Sequence, residues 1–321
     1  MSLPLVIFAD IILAAAVISL VIGLKFSDKQ QAVQISPQTA HMPEAITSDS
    51  AEPDGYYITA WQLKFMDKFS RKTIVDENSY KSPNVSIEIE TVNTKIDGYS
   101  VVYHVADIYI ASIDNFKTYT ANGEMKAFSS QDVMEMDKKS DALISMSGDF
   151  YSAKGSGILM RNGVLYKNEK ASCDICVLYR DGRIDTLREG EYTNDEILAQ
   201  NPVQIWNFGP ALLDSSGEPY DSYEASYNVK MRNPRSALGY YEPGHYCFVV
   251  VDGRESGYSY GMELTQLAEI FKDLGCKKAY NMDGGGSAVM CFNHERYSRQ
   301  SNGANRKLSD IILICETEGA K

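Results

Sequence analysis

Asp283 opens onto three consecutive glycines and a serine, in the run Tyr280-Asn281-Met282-Asp283-Gly284-Gly285-Gly286-Ser287. Glycine lacks the Cβ that forbids positive φ, so such a loop can turn sharply and aim several N–H groups at one anion. The chemistry this pattern suits is anion binding beside a carboxylate. A glycine triplet alone also fits a plain turn, and the surrounding elements separate the two readings.

Upstream, Tyr246 to Val251 is a continuous apolar run ending in Asp252-Gly253-Arg254. It reads as a strand buried on both faces. Between the two Asp-Gly sites, Leu267, Ala268, Ile270, Phe271 and Leu274 recur at helical spacing, with Thr265 as the expected N-cap and Gly275 just past the C-terminus. A crossover of that length makes the flanking strands parallel and puts both carboxyl ends at one sheet edge, where open α/β sheets hold ligands. Asp252, Arg254, Asp283 and the glycine loop are therefore expected to share one cleft.

Strand patterns dominate the earlier half. Ser86 to Val92 alternates, Tyr99 to Ile113 is β-branched and aromatic, and Asn162-Gly163 and Asp181-Gly182 carry tight-turn signals. The expected fold is α+β: a mixed β-sheet body with a β-rich front half and a C-terminal βαβ unit carrying the Asp-Gly-Gly-Gly loop.

The 321-residue chain is 44% hydrophobic, enough for a proper core, and its formal charge of −12 argues against nucleic acid as a partner. Leu3 to Leu24 has Asp10 as its single charge and would span about 33 Å as a helix, the length of a membrane crossing. Lys25 and Lys29 follow this span and by themselves favour a cytoplasmic body. Long domains translocate largely regardless of flanking charge, and the expected location is a single-pass cell-membrane protein with its body outside the cytoplasm. The expected organisation is an anchor over 1–24, a flexible stalk over 25–55, a short helical lead-in over 56–82 and a catalytic domain over 83–321. The six cysteines are too few for a disulfide scaffold, and Cys173-Asp174-Ile175-Cys176 lacks the second pair of a zinc site.

Several blocks together resemble the phosphodiester glycosidase family. They are Val105-Ala106-Asp107-Ile108-Tyr109, Ser147-Gly148-Asp149-Phe150-Tyr151, Arg161-Asn162-Gly163-Val164-Leu165-Tyr166, Phe208-Gly209-Pro210-Ala211-Leu212, Asn233-Pro234-Arg235-Ser236, Val251-Asp252-Gly253-Arg254 and Asn281 to Ser287. The family commonly has Asn where this chain has Ser147, so an amide contact is replaced by a single hydroxyl.

The resemblance implies hydrolysis of a sugar-1-phosphodiester of the N-acetylglucosamine type, in surface or exopolysaccharide metabolism. Phosphate is already a good leaving group, so its neutralisation replaces the general acid of ordinary glycosidases. On that basis Asp283 is the expected nucleophile or base and Asp252 the second carboxylate. Gly284, Gly285, Gly286 and Ser287 offer N–H donors, and Arg235 and Arg254 clamp the phosphate. Asn281, Gly148 and Asp149 are expected to contact substrate, and Tyr240, Tyr241, Tyr258 and Tyr260 could stack on sugar rings. No cofactor is specified, but Asp149, Asp252 and Asp283 could gather around Ca²⁺ or Mg²⁺. Two other classes stay open: a metal-dependent phosphodiesterase cleaving P–O, and a non-catalytic surface protein that binds glycan phosphates.

Overall fold

The structure, a computed structural model, describes residues 33–34, 58–153, 156–301 and 306–317. The expected anchor and nearly all of the stalk lie outside the described residues, among which no helix is long and apolar enough to cross a membrane.

The elements that position the site are, in chain order, β1 (Val85–Ile96), β2 (Tyr99–Ile110), β3 (Ile144–Ser147), β4 (Arg235–Glu242), β5 (His245–Val251), α1 (Leu264–Asp273), β6 (Lys278–Asn281) and β7 (Asp310–Ile314). A seven-stranded sheet runs β6-β4-β5-β2-β1 and finishes with Ser79–Lys81 and Ile74–Val75. A five-stranded sheet holds β3 and β7 side by side, flanked by Met290–Phe292 and Phe116–Thr120. A six-stranded sheet is built around Ile158–Arg161, Pro202–Trp206 and Ile175–Tyr179, and Val33–Gln34 pairs at its edge with Val164–Asn168.

The apolar run of β5 is explained by its two faces. Tyr246, Phe248 and Val250 enter a core shared by all three sheets, beside Met146, Trp206 and Ile312. Cys247, Val249 and Val251 face the other way and pack with Leu267, Ala268 and Phe271 of α1. Period-two alternation therefore carries no polar side.

Two expectations are corrected here. Every described ladder is antiparallel, so the sheets are not mixed. β5 and β6 do run the same way, but each pairs with β4, which lies between them. The crossover thus joins next-nearest strands, and their carboxyl ends still reach one edge. Helix α1 begins earlier than expected: Glu263 caps it, in a reciprocal box with Gln266, rather than Thr265. Gly275, at φ +80, follows its last turn. Within 56–82 the helical lead-in is a five-residue helix, Ala60–Lys64, followed by two short strands that extend the large sheet.

Candidate active site

The loop after β6 has little room for side chains. A Cβ at Gly284 would stand 2.8 Å from the Pro234 carbonyl oxygen, and Gly285 has φ +60 while its N–H donates to that same oxygen. Gly285 to Ser287 then form one short 3₁₀ turn, with Ser287 N–H donating to the Gly284 carbonyl. Two of the four expected donors, Gly285 and Ser287, are thus spent inside the protein. Gly284 and Gly286 N–H groups donate to no main-chain carbonyl among the described residues.

Arginines surround this turn. A Cβ at Gly285 would come within 3.0 Å of Arg254 Nη2, and one at Gly286 within 3.4 Å of Arg306 Cδ. Arg254 has φ +59, a left-handed conformation that costs a side-chain-bearing residue roughly 1–3 kcal/mol and that clusters at functional sites. It is exposed, and Nη2 donates to Asn233 Oδ1. Arg235 lies behind the loop, 3% exposed, with Nε donating to the Met262 carbonyl and Nη2 to the Val229 and Met231 carbonyls. Burial and the neighbouring Arg254 pull its guanidinium down to about 10, against the pull of Glu263, so it stays charged at neutral pH. Nε and Nη2 of Arg235 are thus committed to main-chain carbonyls, and what those contacts leave unused is its charge.

Asp283 is half-buried and hangs on the end of β3. Its N–H donates to the Gly148 carbonyl (2.9 Å), and its own carbonyl lies 2.9 Å from Ser147 Oγ, which is also 2.7 Å from Ser236 Oγ. Ser147 therefore serves the site by holding the Asp283 main chain. Gly148 is demanded by packing, since a Cβ there would sit 2.3 Å from Asp310 Oδ1.

Both oxygens of Asp149 are occupied by protein donors. Fully buried, it accepts from Arg161 Nη2 (2.6 Å), Tyr151 N–H and Asn207 N–H, while Arg161 also reaches Asp310 at 3.1 Å. Burial pulls the Arg161 guanidinium down, but Asp149 and Asp310 outweigh it and hold it above its ordinary value.

Asp252 is likewise engaged on both oxygens. Oδ2 lies 3.1 Å from His104 Nε2 and accepts from the Tyr258 hydroxyl (2.7 Å), and Oδ1 accepts from Arg299 N–H (2.9 Å). His104 Nδ1 is 2.9 Å from Thr91 Oγ1, a contact set by the register that places Thr91, His104 and Val250 abreast on β1, β2 and β5. Both carboxylate oxygens of Asp252 are thus engaged within the protein, and its carbonyl accepts from Ser259 Oγ, so its contacts hold the turn that carries Arg254. Asn281 Nδ2 donates to the Gly209 carbonyl, tying β6 to the Phe208 loop, and its buried Oδ1 has no partner among the described residues. Tyr240 pairs with Lys278 at the opposite end of β6 from the loop, so Tyr240 and Tyr241 stand away from it, whereas Tyr258 supports Asp252.

The proposed cation set does not assemble. Asp149 is paired with Arg161 and Asp252 with His104, and among the described residues no group of three His, Cys, Asp or Glu side chains could hold a metal. Sequence reasoning missed Arg306, His104 and Asp310. A polar residue inside or opening an apolar strand was the available signal for the last two, and Arg306 offered none.

The family model described as phosphodiester glycosidase matches residues 140–315. The chain is 25% identical over 188 residues to the SPbeta prophage-derived uncharacterized protein YomE of Bacillus subtilis (strain 168), covering 57% of this chain and 29% of that protein. It thus spans less than a third of that relative's length. In fold it is similar to the catalytic domain of zebrafish N-acetylglucosamine-1-phosphodiester alpha-N-acetylglucosaminidase, auto-inhibited by its pro-peptide. The TM-score is 0.62 and the identity 22%, over 77% of this chain and 88% of that one. The site blocks read from the sequence at Ser147, Arg161, Phe208, Asn233, Val251 and Asn281 all fall inside the matched span, which exceeds half of the chain, and this protein belongs to the phosphodiester glycosidase family.

Proposed function

We propose that the chain hydrolyses the bond between an N-acetylglucosamine-type sugar and the phosphate of a phosphodiester. It would act outside the cytoplasm on surface or exopolysaccharide glycans, held to the membrane by residues 3–24. The observation that carries this reading is the cationic rim of the glycine turn. Arg254 and Arg306 lie against Gly285 and Gly286 with Arg235 buried behind, and none of the three has a carboxylate within ion-pair distance among the described residues. Arginines with no paired carboxylate among the described residues, beside the Gly284 and Gly286 N–H groups, suit a phosphate, which would neutralise them on binding.

Asp283, at the mouth of this turn, takes the proton of a water that attacks the anomeric carbon, or attacks that carbon itself. The C–O bond to phosphate breaks, its electron pair goes to the phosphate oxygen, and the rim stabilises the charge that develops there. The products are free sugar and a phosphomonoester. Ser147 supports this reading in place of the silent binder, because its hydroxyl holds the Asp283 loop.

The full chain, incubated with an α-N-acetylglucosamine-1-phosphodiester with and without EDTA, is expected to release free sugar in both cases. Accumulation of sugar-1-phosphate that EDTA abolishes would shift the assignment to a metal phosphodiesterase. Arg254→Ala is expected to raise KM by roughly 10–100-fold, the worth of a charge-assisted contact. Arg254→Lys should restore part of it, since an ammonium keeps charge without the paired donors. An unchanged KM in Arg254→Ala would remove this residue from the phosphate site.

A further inference from the structure

Cys247 and Cys276 lie 29 residues apart in sequence, yet their Sγ atoms are 3.6 Å apart in the structure. Cys247 is on the α1-facing side of β5, and Cys276 sits in the turn that leads from α1 into β6. Both are buried. The space they share is created by Gly239 of β4, the strand between them. A Cβ there would stand 2.5 Å from Cys247 Sγ and 2.9 Å from Cys276 Sγ, so the two sulfurs occupy the volume a side chain would need. No atom of β4 separates them on this face, and closing to the bonding distance of about 2.05 Å requires each sulfur to move under about 1 Å.

We propose that Cys247 and Cys276 form a disulfide when the chain folds in the presence of a low-molecular-weight or protein disulfide. In two exchange steps, one thiolate attacks the oxidant's disulfide to give a mixed disulfide, and the second thiolate displaces the oxidant's sulfur. The pair loses two protons and two electrons, and the oxidant leaves as two thiols. The bridge closes the strand–helix–strand unit whose two strands end at Asp252 and Asp283, so it ties together both turns of the candidate site from their far side. The inference rests on the sulfur geometry and is independent of the substrate. In a reducing compartment the same residues remain thiols, and the fold becomes less resistant to heat.

The test uses the full chain refolded with oxidised glutathione or, in parallel, with a phosphine reductant. Free thiols are then alkylated and peptides mapped without reduction. The expected result is a linked peptide pair containing Cys247 and Cys276 in the oxidised sample, and a Tm higher by roughly 5–10 °C than in the reduced one. In Cys276→Ser that redox-dependent difference should disappear. Should this variant fail to fold, the mapping of the unmodified chain still decides. Alkylation of both Cys247 and Cys276 in the oxidised sample, or linkage of either one to another cysteine, would overturn the proposal.

Discussion

Asp283→Asn is expected to lower kcat by roughly 10²–10⁴-fold, the range for removing a group that moves a proton or attacks in the transition state. The fold should persist. The main chain of Asp283 is held by the Gly148 carbonyl and the Ser147 hydroxyl, both contacts that an asparagine keeps. The substitution removes a charge and keeps the side chain's shape, so a cooperative thermal transition should remain. Activity that survives would assign the chemistry to another carboxylate, and Asp252 would be examined first despite its engaged oxygens.

Arg161→Met is expected to cost about 3–5 kcal/mol of stability, because it strands two buried carboxylates, Asp149 and Asp310, without their cation. Urea denaturation with an unchanged m value would measure it. The loss reaches the site through one strand end: Asp310 accepts from the Asp149 N–H, its carbonyl accepts from Gly148, and Gly148 in turn receives the Asp283 N–H. The same cluster sets a pH dependence. Burial, with Asp149 beside it, pushes the Asp310 carboxyl up to about 7 against the pull of Arg161. Between about pH 4 and 7 the folded chain holds a proton there that the unfolded chain has released. Stability therefore falls as pH rises through that window and levels off above it. Asp310→Asn keeps the shape and should flatten this part of the profile. A slope unchanged in Asp310→Asn would show that other groups produce it.

What could be read from the sequence was locally specified. Gly284 and Gly285 are required by the Pro234 carbonyl and by a positive φ, so residue type alone marked the turn. The β5 run was legible as doubly buried because both alternating sets are apolar. The insertion of β4 between β5 and β6 was not legible, since helical crossovers usually join neighbouring strands and nothing in the β5–α1–β6 segment reports a strand that precedes it. Asp149 beside a glycine looked like a ligand contact, but its partners lie 12 and 161 residues away: the pairing of β3 with β7 brings Asp310 to it, and Arg161 comes from the end of the Ile158–Arg161 strand in the six-stranded sheet.

The proposed reaction breaks sugar C–O and not P–O. Product identity alone leaves this open, because P–O cleavage on the sugar side also yields free sugar and a phosphomonoester. Hydrolysis in oxygen-18 water by the full chain, with mass analysis of both products, separates the two. Heavy oxygen is expected at the anomeric hydroxyl of the released sugar and none in the phosphomonoester. Heavy oxygen in the phosphomonoester would place the attack on phosphorus and contradict the proposed reaction.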